Sequence, residues 1–104
     1  MLRTVLFIAL SVCTTQLLAA EHVIEQKDKQ FSKKVLKVKV GDTVEFKNVD
    51  AIAHNIFSLS DAKSFDLGSF PQGQSKKVTF DAAGKVEVEC SIHPNMKMVI
   101  EVEK

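Results

Sequence analysis

Apolar and polar residues alternate along most of the chain, and this two-residue period constrains the fold more than any other feature. Residues 85–90 place Val86, Val88 and Cys90 on one face and three charged side chains on the other. Successive side chains of a β-strand point to opposite faces, so the pattern predicts a strand with one buried face. The parity also predicts that the Cys90 sulfur lies on the core side, where the strand ends.

Similar segments recur at short spacing, with turn residues between them. They cover residues 35–40, 44–47, 78–80 and 98–104. Residues 51–60 form a mostly apolar run, whereas residues 61–74 are rich in Ser, Gly, Asp and Pro and predict a loop with room for a short helical turn. Because strands recur so closely and leave no room for a long helix, we expect an all-β fold, an antiparallel sandwich of two sheets.

The first twenty residues differ in kind from the rest. A positive start at Arg3, an apolar run and small residues at its end predict a secretory signal peptide over residues 1–20. Residues 21–104 then form one exported domain, and we expect it in the periplasm without a membrane span, because the apolar run is too short to cross a bilayer. Cys13 leaves a lipoprotein open as an alternative, although the bulky Val12 precedes it.

The charge balance of the predicted mature domain argues against nucleic acid as a partner. Of the fourteen Lys and Arg residues only Arg3 leaves with the leader, so thirteen Lys face thirteen Asp and Glu. Binding to phosphates requires a net basic face. We interpret the lysines of the first half and the glutamates of the last strands as solvated outer faces, with a Lys cluster that steers an acidic partner as the alternative.

The segment Cys90-Ser91-Ile92-His93-Pro94-Asn95-Met96 carries the chemistry of the chain. It holds a thiolate, an imidazole and a thioether within seven residues, a set of soft donors that favours copper. Cys90 is also the one cysteine left after leader removal, without a disulfide partner. His54 is the best candidate for a second imidazole. Taken singly, a buried free thiol, a core histidine and core methionines would be ordinary alternatives.

The order of these motifs resembles the cupredoxins, the small blue copper proteins of the plastocyanin and amicyanin type. The resemblance rests on His54-Asn55, on the strand that ends at Cys90 and on the motif Cys-x-x-His-Pro-x-Met. Residues 41–50, 65–68 and 80–84 also look like strand and turn motifs of that family. The resemblance extends over residues 22–104 and implies a Greek-key β-sandwich or barrel.

By this resemblance, one copper ion would alternate between Cu(I) and Cu(II) in a site built from four residues. His54, Cys90 and His93 would form the trigonal set, and Met96 would be the weak axial ligand. Asn55 would hydrogen-bond across to the Cys90 strand and join the two ligand loops.

Two details of this ligand set need a choice. Continuing the alternation of the last strand backwards places Met98 in the core and Met96 in the loop, so Met96 is the expected axial ligand and Met98 the alternative. Relatives usually carry an aromatic residue just before the cysteine, where this chain has Glu89. The edge of His93 is therefore the expected route for electrons.

The expected function is that of a soluble, monomeric electron carrier that meets its redox partner proteins transiently. Four protein donors leave no open position for a substrate, so we do not expect an enzyme. The only other histidine, His22, we expect to be exposed to solvent. A periplasmic copper-binding or copper-delivery protein that uses the same ligands is the alternative.

Overall fold

The computed structural model describes residues 18–104, in which nine β-strands form and no residue is helical. The strands are β1 (Glu21–Lys27), β2 (Gln30–Phe31), β3 (Val35–Lys39), β4 (Thr43–Asn48), β5 (His54–Ser60), β6 (Lys63–Phe70), β7 (Ser75–Thr79), β8 (Gly84–Cys90) and β9 (Lys97–Glu103). The predicted signal peptide, residues 1–20, lies outside the described residues except for its last three. Within residues 18–104 there is no helix long and apolar enough to cross a membrane.

The strands build two sheets, which confirms the predicted all-β sandwich. One sheet has the order β2-β1-β4-β7 and the other the order β3-β9-β8-β5-β6. The pairs β1 with β4 and β3 with β9 are parallel, so the expectation of a purely antiparallel sandwich needs correction. Alternation reports which side chains face the core, but it is the same for parallel and antiparallel neighbours. Between β1 and β4 the chain crosses to the other sheet as β3 and returns.

The inward faces of both sheets share one apolar core. Its largest fully buried side chains are Phe46, Phe70 and Phe80. Val86 and Val88 are fully buried and Cys90 is 2% exposed, which confirms the inward parity predicted for this strand. Burying one such apolar side chain contributes about 1.5–3 kcal/mol, so the core accounts for most of the favourable free energy of folding.

The segment 61–74, expected to be a loop with a short helical turn, contains the eight-residue edge strand β6 instead. Its burial pattern does not alternate cleanly, which explains why periodicity failed to reveal it. Phe65 in this strand packs near the rings of Phe46 and Phe80, at centroid distances of 6.1 and 6.3 Å. Tertiary packing therefore decides the structure of this segment.

Alternation also fails to reveal β1. Val23 is 51% exposed in this strand, whereas Gln26 is fully buried. The polar side chain faces the core and the apolar one faces solvent, so the sequence pattern is inverted at these positions.

The antiparallel neighbours of β8 bring the two ligand segments to one end of the sandwich. On one side β9 pairs with β8, with Met98 opposite Val88 and Lys97 opposite Glu89. On the other side β5 pairs with β8, with Ile56 opposite Cys90. The loop from β8 to β9 and the start of β5 therefore lie next to each other.

Asp42 organises the opposite end of the sandwich. Its carboxylate accepts hydrogen bonds from the backbone N–H groups of Lys39 at 2.9 Å and Ala20 at 2.8 Å, and it contacts His22 Nε2 at 2.9 Å. These bonds, that of Lys39 most of all, lower the pKa of Asp42 from 3.8 to about 2. His22, which we expected to be exposed, is instead a partner of this carboxylate with its side chain 26% exposed.

In the chain that retains Ala20, we expect the substitution D42N to lower the free energy of unfolding at pH 7 by up to about 2 kcal/mol, because a carboxyl pKa nearly two units lower in the folded protein stabilises it by that amount. The stabilisation is complete above pH 3.8 and is lost as the pH falls towards 2. Urea unfolding of both proteins at pH 7, 4 and 2 measures it. A difference that stays constant over this range would contradict the assignment.

Candidate metal centre

Three of the four predicted ligand residues meet at the end of β8. One ligand atom each from His54, Cys90 and His93 lie within 4.8 Å of one another. Cys90 Sγ is 3.8 Å from His54 Nδ1 and 3.8 Å from His93 Nδ1. His54 is fully buried and Cys90 nearly so, whereas His93 is half-buried. The structure thus brings together two imidazoles that are 39 residues apart in the sequence and aims both at one thiol.

The loop between β8 and β9 is closed by its own backbone. The N–H group of Cys90 donates to the carbonyl of Met96 at 3.2 Å, and the N–H group of Met96 donates to the carbonyl of His93 at 2.9 Å. These two bonds hold His93 above Cys90 and return the chain to β9. The short spacing of the ligands in the sequence therefore corresponds to one tight turn.

The two methionines occupy different elements, as alternation predicts. Met98 lies inside β9 opposite Val88 and is 2% exposed, which makes it a core residue of the sheet. Met96 lies in the loop, directly before β9, and is 1% exposed. Its side chain is therefore buried although it belongs to the loop that carries His93.

The far side of the His54 ring contacts a carboxylate that sequence reasoning did not identify as part of the site. His54 Nε2 lies 2.8 Å from Asp50 Oδ2. An ionised carboxylate only accepts hydrogen bonds, so Nε2 is the donor in this contact, and Nδ1 is the ring nitrogen that faces Cys90. Hydrogen bonds, chiefly that from the backbone N–H of Lys29, lower the pKa of Asp50 and keep it ionised.

Asn55 joins the two ligand segments through its backbone. The N–H group of Ser91 donates to the Asn55 carbonyl at 3.3 Å. This bond joins Asn55 to the segment after Cys90, as the resemblance implied, whereas the side-chain oxygen of Asn55 is buried and has no hydrogen-bond partner among residues 18–104.

An aromatic ring lies beside Glu89, although the residue directly before Cys90 in the sequence is not aromatic. Phe57 of β5 is the register partner of Glu89 and is half-buried. Local sequence inspection cannot find this ring, because strand pairing supplies it from 32 residues earlier.

The donor set fits copper. A thiolate and two imidazoles, with a buried thioether in the same loop, match the ligand softness of that metal. Their enclosure by two strands and a tight turn keeps water away from the sulfur and fixes the donors before any metal binds.

Comparison with known proteins identifies relatives with this arrangement. The sequence profile of the copper-binding proteins of the plastocyanin/azurin family matches residues 18–103. The methylamine utilization protein MauL of Methylorubrum extorquens is 37% identical over 68 residues, which are 64% of this chain and 60% of that protein. The chain thus spans less than two thirds of this relative.

Solved structures extend the comparison. The reduced state of an amicyanin variant has a TM-score of 0.72 and 29% identity, over 80% of this chain and 82% of that chain. A copper-containing nitrite reductase from Thermus scotoductus SA-01 has a TM-score of 0.76 and 28% identity, over 81% of this chain but only 22% of that chain.

The difference in burial between the two imidazoles is testable without metal. In the metal-free protein we expect diethyl pyrocarbonate to modify His93 at least about tenfold faster than His54, because reaction at a fully buried ring requires local opening. Mass spectrometry of the peptides measures both rates, and the partly exposed His22 serves as an internal standard. Equal rates for His54 and His93 would refute the burial described above.

Proposed function

The chain belongs to the plastocyanin/azurin family of copper-binding proteins, and on that premise we propose that it is a small carrier of single electrons. In this proposal His54, Cys90, His93 and Met96 hold one copper ion. The observation that supports it most is the convergence of the Cys90 sulfur and two imidazole nitrogens within 4.8 Å. Copper supplies one-electron chemistry by alternating between Cu(I) and Cu(II).

The protein's contribution is to keep these donors in place. His54 and Cys90 stand at the ends of paired strands in a close-packed core, where displacement of a side chain is opposed by its neighbours. Ligands that barely move allow an electron to arrive or leave with little rearrangement. The loop bonds between Cys90, His93 and Met96 serve the same purpose on the outer side.

The half-buried edge of His93 is the proposed route for the electron. Ile92 next to it is 53% exposed, and Ile52 in the loop before β5 is 40% exposed. Ile92 directly precedes His93, and Ile52 lies two residues before His54, so both apolar side chains belong to the segments that carry the ligands. They suit a small, transient contact with a redox partner protein.

Lysines and glutamates interleave on the outer faces of β3, β8 and β9, which leaves little separated charge to steer a partner. Each glutamate of β8 and β9 lies beside a lysine across or along a strand: Lys37 with Glu101, Lys39 with Glu103, Lys97 with Glu89 and Lys85 with Glu87. Opposite charges at this spacing cancel over a short distance in physiological salt. The structure thus favours solvated outer faces over separate charged patches on these strands.

A carrier fits the size of the chain better than an enzyme does. The chain covers 82% of an amicyanin but 22% of a nitrite reductase chain, so it corresponds to one small copper domain. We propose that it acts as a monomer in the periplasm, exported by residues 1–20. The cysteine at position 13 keeps the lipoprotein alternative open.

Adding one equivalent of Cu(II) to the protein should produce an intense visible band, because thiolate-to-copper charge transfer is strong in sites of this type. The variant C90S should lose the band completely while its far-UV circular dichroism stays that of the wild type, since serine has a similar shape. Absence of an intense band in the wild-type protein would refute the proposal.

The delivery alternative makes a different prediction for the same sample. A carrier keeps its copper through repeated reduction and oxidation. A delivery protein instead prefers Cu(I) and gives it up rapidly to a competing chelator. Rapid loss on reduction, measured by the recovered blue band after reoxidation, would favour delivery.

The assignment of the axial ligand has its own test. M96Q should shift both the visible spectrum and the reduction potential, because an amide oxygen replaces a weak thioether donor. M98L should leave both unchanged and lower stability by less than about 1.5 kcal/mol, since the core volume is conserved. Spectroelectrochemistry of the two variants decides, and the reverse pattern would assign the role to Met98.

A further inference from the structure

The turn between β1 and β2 has an unusual backbone. Asp28 and Lys29 form a two-residue hairpin loop, and their φ angles are +52° and +57°. Residues with a Cβ are disfavoured in this left-handed region by roughly 1–2 kcal/mol each. Asn-Gly or Gly-Gly would be the usual choice for such a turn. Contacts elsewhere in the protein must therefore stabilise this conformation.

Those contacts come from Asp50, in the segment that precedes β5. The N–H group of Asp28 donates to Asp50 Oδ1 at 2.9 Å, and that of Lys29 donates to Asp50 Oδ2 at 2.9 Å. The backbone of Asp50 is fixed as well, because its N–H group donates to the side-chain oxygen of Asn48 at 2.8 Å. The backbone of Asp50 is thus fixed by Asn48, and its carboxylate accepts hydrogen bonds from both residues of the turn.

The same carboxylate contacts the candidate ligand. Asp50 Oδ2 lies 2.8 Å from Nε2 of His54, whose ring is fully buried. The chain of contacts therefore runs from the strained turn through Asp50 to His54 and ends at Cys90 Sγ, 3.8 Å from Nδ1. The local sequence around His54 does not indicate this series of contacts, because the turn lies more than twenty residues earlier.

We propose that Asp50 is a positioning residue for the metal centre: it fixes the proton of His54 on Nε2, turns Nδ1 towards Cys90, and places a negative charge beside this ligand. The inference rests on the proposed copper site and deepens it. The β1–β2 turn takes part by orienting both carboxylate oxygens. Carboxylates that accept from a ligating imidazole fix its tautomer and raise its basicity.

The negative charge of Asp50 should lower the reduction potential of the copper ion. Cu(II) carries one more positive charge than Cu(I), so a nearby anion stabilises the oxidised form more. Loss of the Asp50 charge therefore raises the reduction potential. Loss of the hydrogen bond additionally weakens binding, and variants of such outer partners typically lose about 10–100-fold in metal affinity.

Two variants separate these contributions. D50N removes the charge but keeps an amide oxygen that can accept from His54 Nε2. D50A removes both. D61N is the matched control, because it removes one exposed carboxylate at the far end of β5, about 20 Å from His54 and well beyond the screening length. The double variant D28N/K29G is the control for the turn, since it keeps both N–H donors in a sequence that favours positive φ.

The first readout uses metal-free protein in mildly alkaline solution. Nitrogen-15 NMR of the imidazoles should show the Nε2–H tautomer of His54 in the wild type, D50N, D61N and D28N/K29G. D50A should show a mixture of tautomers. Circular dichroism and the signals of His22 report whether each variant is folded. If D50A folds and shows the wild-type tautomer and the wild-type potential, the proposal is overturned. If D50A does not fold, the same result for D50N overturns it.

The second readout uses the copper-loaded protein. D50A should bind Cu(II) about 10–100-fold more weakly. If Cu(II) affinity falls tenfold more than Cu(I) affinity, the potential rises by about 59 mV. D50N should raise the potential with a smaller loss of affinity, and both controls should leave it unchanged. A wild-type protein without a blue band would refute the proposed function, whereas the tautomer experiment would still test Asp50.

Discussion

The site depends on one short strand pairing, that of β5 with β8. Only two register pairs join these strands, Ile56 with Cys90 and Phe57 with Glu89. Beyond them the ladder is replaced by a side chain, because the N–H group of Glu87 donates to Ser60 Oγ at 2.9 Å. Those two pairs fix the position of His54 relative to Cys90 along the strands. The closed loop that follows β8 then places His93. The rest of the sandwich serves as the rigid support for this contact.

Much of this arrangement could be predicted from the sequence because it is encoded locally. The parity of β8 and β9 predicts the inward side of Cys90 and the different elements of Met96 and Met98. The spacing from Cys90 to His93 predicts one turn. The direction of neighbouring strands could not be predicted, because alternation is the same in parallel and antiparallel pairs. The strand β6 was not predicted, because its irregular burial pattern leaves no clear two-residue period in the sequence.

The features that escaped prediction are polar contacts between distant segments. Asp50 ends a strand in the sequence like any turn residue, and its importance arises from donors at residues 28 and 29. The contact between Asn55 and the Cys90 segment was expected, but the sequence does not reveal that the backbone carbonyl makes it. Hydrogen bonds of this kind depend on the final tertiary geometry, so the sequence next to each residue does not predict them.

The place of β9 in its sheet has a consequence for the order of folding. This strand comes late in the sequence, yet it lies between β3 and β8 and pairs with both. The five-stranded sheet is therefore split until residues 97–103 are available, and its pairing of β3 with β9 joins segments that lie about sixty residues apart in the sequence. Such a topology delays folding relative to one built from local contacts. The loop that carries Cys90, His93 and Met96 joins β8 to β9, so it takes its closed shape only when the last strand has paired.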